Sequence, residues 1–144
     1  MSSSPSFDEA LPIALLRARE ATLARFRGHV AAHGLTLEQW RVIRALAEQE
    51  SLTTVQLSKL CVLLPPSLSR ILKALESRGL VSSLPGEDRR TKITTLTDQG
   101  RDLFSAMIKG TQEIHETLEE LIGKADLEDL IQKLTQLRIA LETT

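Results

Sequence analysis

The proline pair in "CVLLPPSLSRILKALESRGLV" constrains this chain more than any other feature. A proline inside a helix removes a backbone donor and clashes with the preceding turn, whereas the first helical turn has unpartnered donors anyway. Pro65 and Pro66 therefore end whatever helix precedes them and favour a new one starting there. Downstream, Leu68, Ile71, Leu72 and Leu75 recur at i, i+3, i+4 and i+7, the apolar stripe of a helix packed on one side. Arg78-Gly79 closes it, because glycine accepts the left-handed stop. Upstream, Thr53 and Gln56 have capping-box spacing and open a short helix through Val55, Leu57 and Leu60. Two short helices joined by a brief turn have the outline of a helix-turn-helix.

The flanking segments suit a single domain over residues 1–144. A first helix is predicted from about Asp8 to Ala32, with Leu16, Leu23, Phe26 and Val30 on one apolar stripe and Gly34 just beyond its end. A second starts at Thr36, where Gln39 completes a capping box; it carries Trp40, Val42, Ile43 and Leu46 and ends near Gln49. After Gly79, "LVSSL" and "KITTL" flank the turn-rich "PGEDRRT", a hairpin over 80–96. A long helix follows from Asp98 to about Ile122. Asp126 is predicted to cap a last helix whose Leu127, Leu130, Ile131, Leu134, Leu137 and Leu141 form a seam spaced by threes and fours. The expected fold is mainly α with a small antiparallel β-hairpin. A winged helix-turn-helix spans 36–96, with helical segments 8–34 and 98–144 on either side.

Composition excludes several functions. The apolar runs are far shorter than a membrane span, and the opening "MSSSPSFDEALP" has no basic stretch followed by an apolar core, so a cytoplasmic protein with no membrane partner is expected. Cys61 is the sole cysteine and cannot form an intramolecular disulfide or a cysteine zinc cluster. His29, His33 and His115 lack metal-site spacing, so no metal is expected. Neither a phosphate-cradling glycine loop nor a nucleophile elbow occurs, so neither a cofactor nor enzymatic activity is expected.

The net charge of −1 hides an asymmetry. Between Pro65 and Lys92 six cations face three acids, whereas from Thr97 onward five cations face ten acids. A winged helix places its second helix in the major groove of DNA and its hairpin at the neighbouring minor groove. On the outward side of that helix lie Pro66, Ser67, Ser69, Arg70 and Lys73. Arg70 is the best candidate for a guanine contact, while Lys73 and Arg78 suit phosphates. At the hairpin, Arg89, Arg90 and Lys92 are the cations. Arg90 is expected in the minor groove and Arg89 on phosphate, or the reverse, with Asp88 orienting one of them. A charged tip taken alone is a solvated turn; the order of capped helix, turn, proline-started helix, glycine, hairpin and basic tip is what points to DNA.

Those residues carry a resemblance. "GLTLEQWRVIRAL", "LTTVQLSKLCVLLPPSLSRILKALESRGLV", "PGEDRRTKITTLTDQG" and the closing helices, in that order, resemble the MarR family of transcriptional regulators from about Leu11 to Leu141. The Asp-Arg-Arg wing followed by "LTDQG" is the most specific part. Within the family, "ALLRAREA", "HGLTLEQWRVIR" and "CVLLPPSLS" are most similar to regulators of homoprotocatechuate degradation operons. The resemblance implies a homodimer built by the first and last helices. It also implies repression through a pseudo-palindromic operator, relieved by a small phenolic or aromatic acid. The residues agree on dimerisation, since Leu16 and the seam of Leu130, Leu134, Leu137 and Leu141 offer more apolar helix surface than one small lobe should cover.

For the effector, Arg17, Arg19, Trp40 and Arg41 could pair a carboxylate with guanidinium against an aromatic wall. Arg19 falls on the apolar stripe and there needs a partner; the plainer alternatives are a structural ion pair for Arg19 and a core position for Trp40. His29 and His33 read as solvated or capping residues. Cys61 raises the alternative of an oxidant-sensing repressor, although a cysteine beside Val62 and Leu63 is usually packing. A winged-helix protein-interaction module is the other alternative.

Overall fold

The computed structural model describes residues 3–87 and 91–144. Along the chain lie α1 (Leu11–Ala32), α2 (Leu37–Gln49), β1 (Ser51–Thr53), α3 (Thr54–Cys61), α4 (Pro65–Ser77), β2 (Val81–Pro85), β3 (Lys92–Leu96), α5 (Asp98–Ile122) and α6 (Lys124–Glu142). Met1–Ile108 and Lys109–Thr144 form two compact units, α5 running from one into the other.

Local chemistry sets most boundaries. Thr36 Oγ1 accepts from the Gln39 amide at 3.1 Å while Gln39 Oε1 accepts from the Thr36 amide at 3.0 Å, opening α2. Thr53 and Gln56 repeat the box for α3. The two prolines occupy the first turn of α4 as expected. Its inward face follows the predicted stripe: Leu68 and Leu75 are fully buried, with Ile71 and Leu72 half-buried against the same core.

The core of the first unit gathers Val42, Ile43 and Leu46 of α2, Leu57 of α3, Leu68 and Leu75 of α4, the hairpin base, and Met107 of α5. Trp40 belongs to it, stacked on Phe104 with ring centroids 5.7 Å apart. Where the hairpin returns into α5, Thr97 N donates to Leu80 O at 3.1 Å, and a Cβ on Gly100 would collide with that same carbonyl. Only glycine lets the first turn of α5 approach the sheet so closely.

Three features depart from the sequence-based expectation. First, α1 starts at Leu11 rather than Asp8, and Phe7–Glu9 form a separate 3-10 turn. Pro12 explains this, because its ring would clash with the carbonyl four residues earlier if the helix extended further back. Second, the hairpin belongs to a three-stranded antiparallel sheet ordered β1-β3-β2, in which Ser51 pairs with Thr95 and Thr53 with Ile93. Third, Asp126 does not cap α6. Gly123, at φ 101°, is the residue before the helix, and Asp126 lies in the first turn, where its charge still favours the helix dipole. Within α3, Leu57 and Cys61 are buried, while Val55 and Leu60 are exposed.

Candidate functional site

The spacing that buries Leu68 and Leu75 turns a second stripe outward. Pro66, Ser69, Arg70 and Lys73 recur at i, i+3, i+4 and i+7 on the opposite side of α4, and all four are exposed. Ser67 is half-buried, and its Oγ accepts from the Arg70 guanidinium at 3.5 Å. Ser67 and Arg70 share an open groove of about 310 Å³ with Glu38 and Gln39 of the first turn of α2. Neither Glu38 nor Gln39 is a site candidate from the sequence alone, where Gln39 serves only the capping box. Their only signal there is membership of the capped turn that α4 packs beside.

Arg78 is placed differently from the other cations. Its guanidinium donates to Gly34 O at 2.7 Å and His33 O at 3.4 Å, the carbonyls that leave the C-terminal end of α1. A cation there satisfies orphan acceptors and opposes the negative end of a helix dipole. Arg78, expected at a phosphate, forms an internal tie between the end of α4 and the α1–α2 turn.

In the hairpin, Val81 pairs with Leu96, Ser83 with Thr94 and Pro85 with Lys92. Lys92 is exposed at the outer end of β3. Asp88, Arg89 and Arg90 lie outside the described residues.

The four residues expected to line an effector pocket occupy separate surroundings in the chain. Arg17 pairs with Asp8, Trp40 is in the core, and Arg41 donates to Cys61 O at 2.8 Å. Arg19 is exposed rather than buried on the stripe, and it pairs with Glu20 at 3.2 Å. Arg19 does line an open groove of about 420 Å³ along α1 and the start of α2, with Glu20, Arg27, Leu23, Val30 and Leu35. Glu20 also accepts from Arg27 at 3.1 Å, so one carboxylate bridges two guanidiniums above an apolar floor. Such exposed pairs are weak and readily exchanged for another anion.

His29 is half-buried, not solvated: its Nε2 donates to Met107 O at 2.9 Å and ties α1 to α5. His33 Nδ1 donates to His29 O at 3.1 Å. Cys61 is buried, its Sγ 3.8 Å from Arg41 O. Burial pushes its thiol above the ordinary range, against the smaller opposing pull of the Arg41 charge, which is the reverse of what a reactive thiolate needs. In α6, Leu130, Leu134 and Leu141 are exposed and Leu137 half-buried, while Leu16 of α1 is exposed too. Among the described residues no group of histidine, cysteine or acidic side chains could hold a metal ion, and no helix is long and apolar enough to cross a membrane.

Comparison with known proteins agrees with this geometry. The MarR family model matches residues 33–91, from the α1–α2 turn to the hairpin. The homoprotocatechuate degradative operon repressor of Escherichia coli is 38% identical over 129 residues, covering 89% of this chain and 87% of the repressor. The crystal structure of NadR in complex with 4-hydroxyphenylacetate superposes with a TM-score of 0.82 at 34% identity, over 94% of this chain and 97% of NadR. The transcriptional repressor CouR bound to a 23-mer DNA duplex gives 0.82 at 30% identity, over 94% and 99%. A helix-turn-helix with a cationic outer stripe, an antiparallel wing and near full-length similarity to such repressors lead to one assignment: the chain belongs to the MarR family of transcriptional regulators.

Proposed function

We propose that two copies of the chain bind a pseudo-palindromic operator as a repressor, and that a small aromatic carboxylate releases them. The observation that carries this is the division of α4 into a buried leucine stripe and an exposed stripe of Ser69, Arg70 and Lys73. A helix held rigidly by one face and polar on the other suits the major groove, where Arg70 would meet a guanine edge and Ser67 and Ser69 base edges or phosphate. Lys73 and Lys92 supply phosphate contacts, and Arg89 or Arg90 enters the minor groove with Asp88 as its orienting partner. Arg78 holds the frame. The exposed α6 seam of Leu130, Leu134 and Leu141 supports pairing of two chains, which sets two copies of α4 about one turn of DNA apart.

The groove along α1 supports the effector reading. Its arginines Arg19 and Arg27 offer guanidinium to a carboxylate, and Leu23, Val30 and Leu35 offer an apolar bed for a ring. The likeness to NadR with 4-hydroxyphenylacetate and to a homoprotocatechuate operon repressor supports an aromatic-acid ligand and a role in aromatic catabolism. The proposed role is regulatory and cytoplasmic, without catalysis. A gel-shift titration with duplexes selected from a random pool tests it. Specific retardation should be reversed by millimolar 4-hydroxyphenylacetate; retention of the complex at every ligand concentration would refute release by this acid.

A further inference from the structure

The wing is built inside out near its tip. Directly opposed residues in an antiparallel ladder share a face, so the pairs Ser83–Thr94 and Leu84–Ile93 lie on opposite faces of the ribbon. The inward pair is polar: Thr94 is fully buried, its hydroxyl satisfied by Ser83 Oγ at 3.1 Å. The outward pair is apolar, with Leu84 66% and Ile93 36% exposed. A half-buried strand normally alternates the other way, and reversing it leaves two large apolar side chains in water without contributing to the core.

We infer that the Leu84–Ile93 pair is a contact surface for the apolar deoxyribose wall of the minor groove, an inference that rests on the DNA-binding function proposed above. Continuity favours this occupant. Lys92, a proposed phosphate contact, precedes Ile93 at the same end of β3, on the other face of the ribbon, and in the sequence the pair brackets Arg89 and Arg90. Size favours it as well. Two side chains rimmed by the hydroxyls of Ser82 and Thr95 are far smaller than the roughly 800 Å² per partner of a stable protein interface. They match the width of one sugar-phosphate strand, whose sugars present C–H surface between charged groups. A cation on the phosphate and an apolar pair on the adjoining sugar would seat the wing at a fixed depth.

The test separates apolar from ionic contributions by their salt dependence. Leu84→Ser/Ile93→Thr, a double variant that keeps strand-compatible residues, is compared with wild type and Lys92→Ala on a duplex selected by the wild-type protein, after thermal melts establish that each is folded. The double variant should bind about tenfold more weakly with an unchanged slope of log affinity against log salt, because no counterion-releasing contact is lost. Lys92→Ala should instead flatten the slope by about one. Undiminished affinity in the double variant would overturn the inference while leaving DNA binding intact, and would assign the pair to a protein partner or to none. If wild type selects no duplex, the DNA-binding proposal itself fails.

Discussion

Helices α4 and α6 are both rich in leucine, yet they end in opposite states. In α4, Leu68 and Leu75 are wholly removed from solvent and the polar residues face out. In α6, Leu127 alone is buried, while Leu130, Ile131, Leu134, Ile139 and Leu141 stay 39% to 65% exposed. Leucine at helical spacing thus does two jobs. In α4 it finishes a core within the chain, so the helix is rigid enough to present Arg70. In α6 it leaves an apolar surface of the kind a second copy covers. Reading DNA depends on the first, and correct half-site spacing depends on the second.

Breaking the α6 side should have the largest effect. Leu130→Asp/Leu134→Asp should convert the protein to a species of 16.0 kDa by sedimentation. It should also lower affinity for a two-half-site duplex by about a hundredfold or more, since the second half-site is no longer tethered. Breaking the α4 side is next. Leu75→Ala should cost about 3 kcal/mol in urea unfolding through the cavity it leaves.

The outward stripe then sharpens the contrast. Arg70→Ala should cost about 1–3 kcal/mol of specific binding and relax preference at one base position in a fresh selection. Arg78→Ala, only eight residues on, should leave the salt slope of DNA binding unchanged and lower the unfolding free energy instead, by about 1 kcal/mol. A flattened slope for Arg78→Ala would return that residue to the phosphate contacts.

The smallest effect concerns Cys61. Folded protein at neutral pH should react with iodoacetamide far more slowly than urea-unfolded protein, by mass spectrometry. Burial keeps the folded thiol protonated at pH values where the unfolded thiol ionises. Stability linked to Cys61 is therefore intact at neutral pH and declines as alkaline pH ionises the unfolded chain's thiol. Rapid alkylation of the folded protein would revive the oxidant-sensing alternative.

Features decided by near neighbours were legible from residues alone. Both capping boxes, the proline start of α4, its buried stripe and the hairpin follow from spacings of a few residues. Features decided at a distance were not. "SLT" is too short to signal a strand, and β1 exists because Thr95 and Ile93, some forty residues later, offer it a ladder. No local spacing around Arg78 shows that folding sets it against Gly34 and His33, more than forty residues earlier. The surroundings of the effector residues are decided in the same way. Whether Arg17, Arg19, Trp40 and Arg41 share a cavity is a tertiary question, and Asp8, the core and Cys61 O claim three of them.

Anisotropy titration of a selected duplex over a range of potassium chloride concentrations, with stoichiometry read at saturation, is the most direct measurement. Two chains should bind each duplex, and log affinity should fall linearly with log salt at a slope of about −5. That value follows from Lys73, Lys92 and one wing arginine on phosphates in each chain. One chain per duplex, or affinity indifferent to salt, would contradict a paired protein gripping DNA through α4 and the wing.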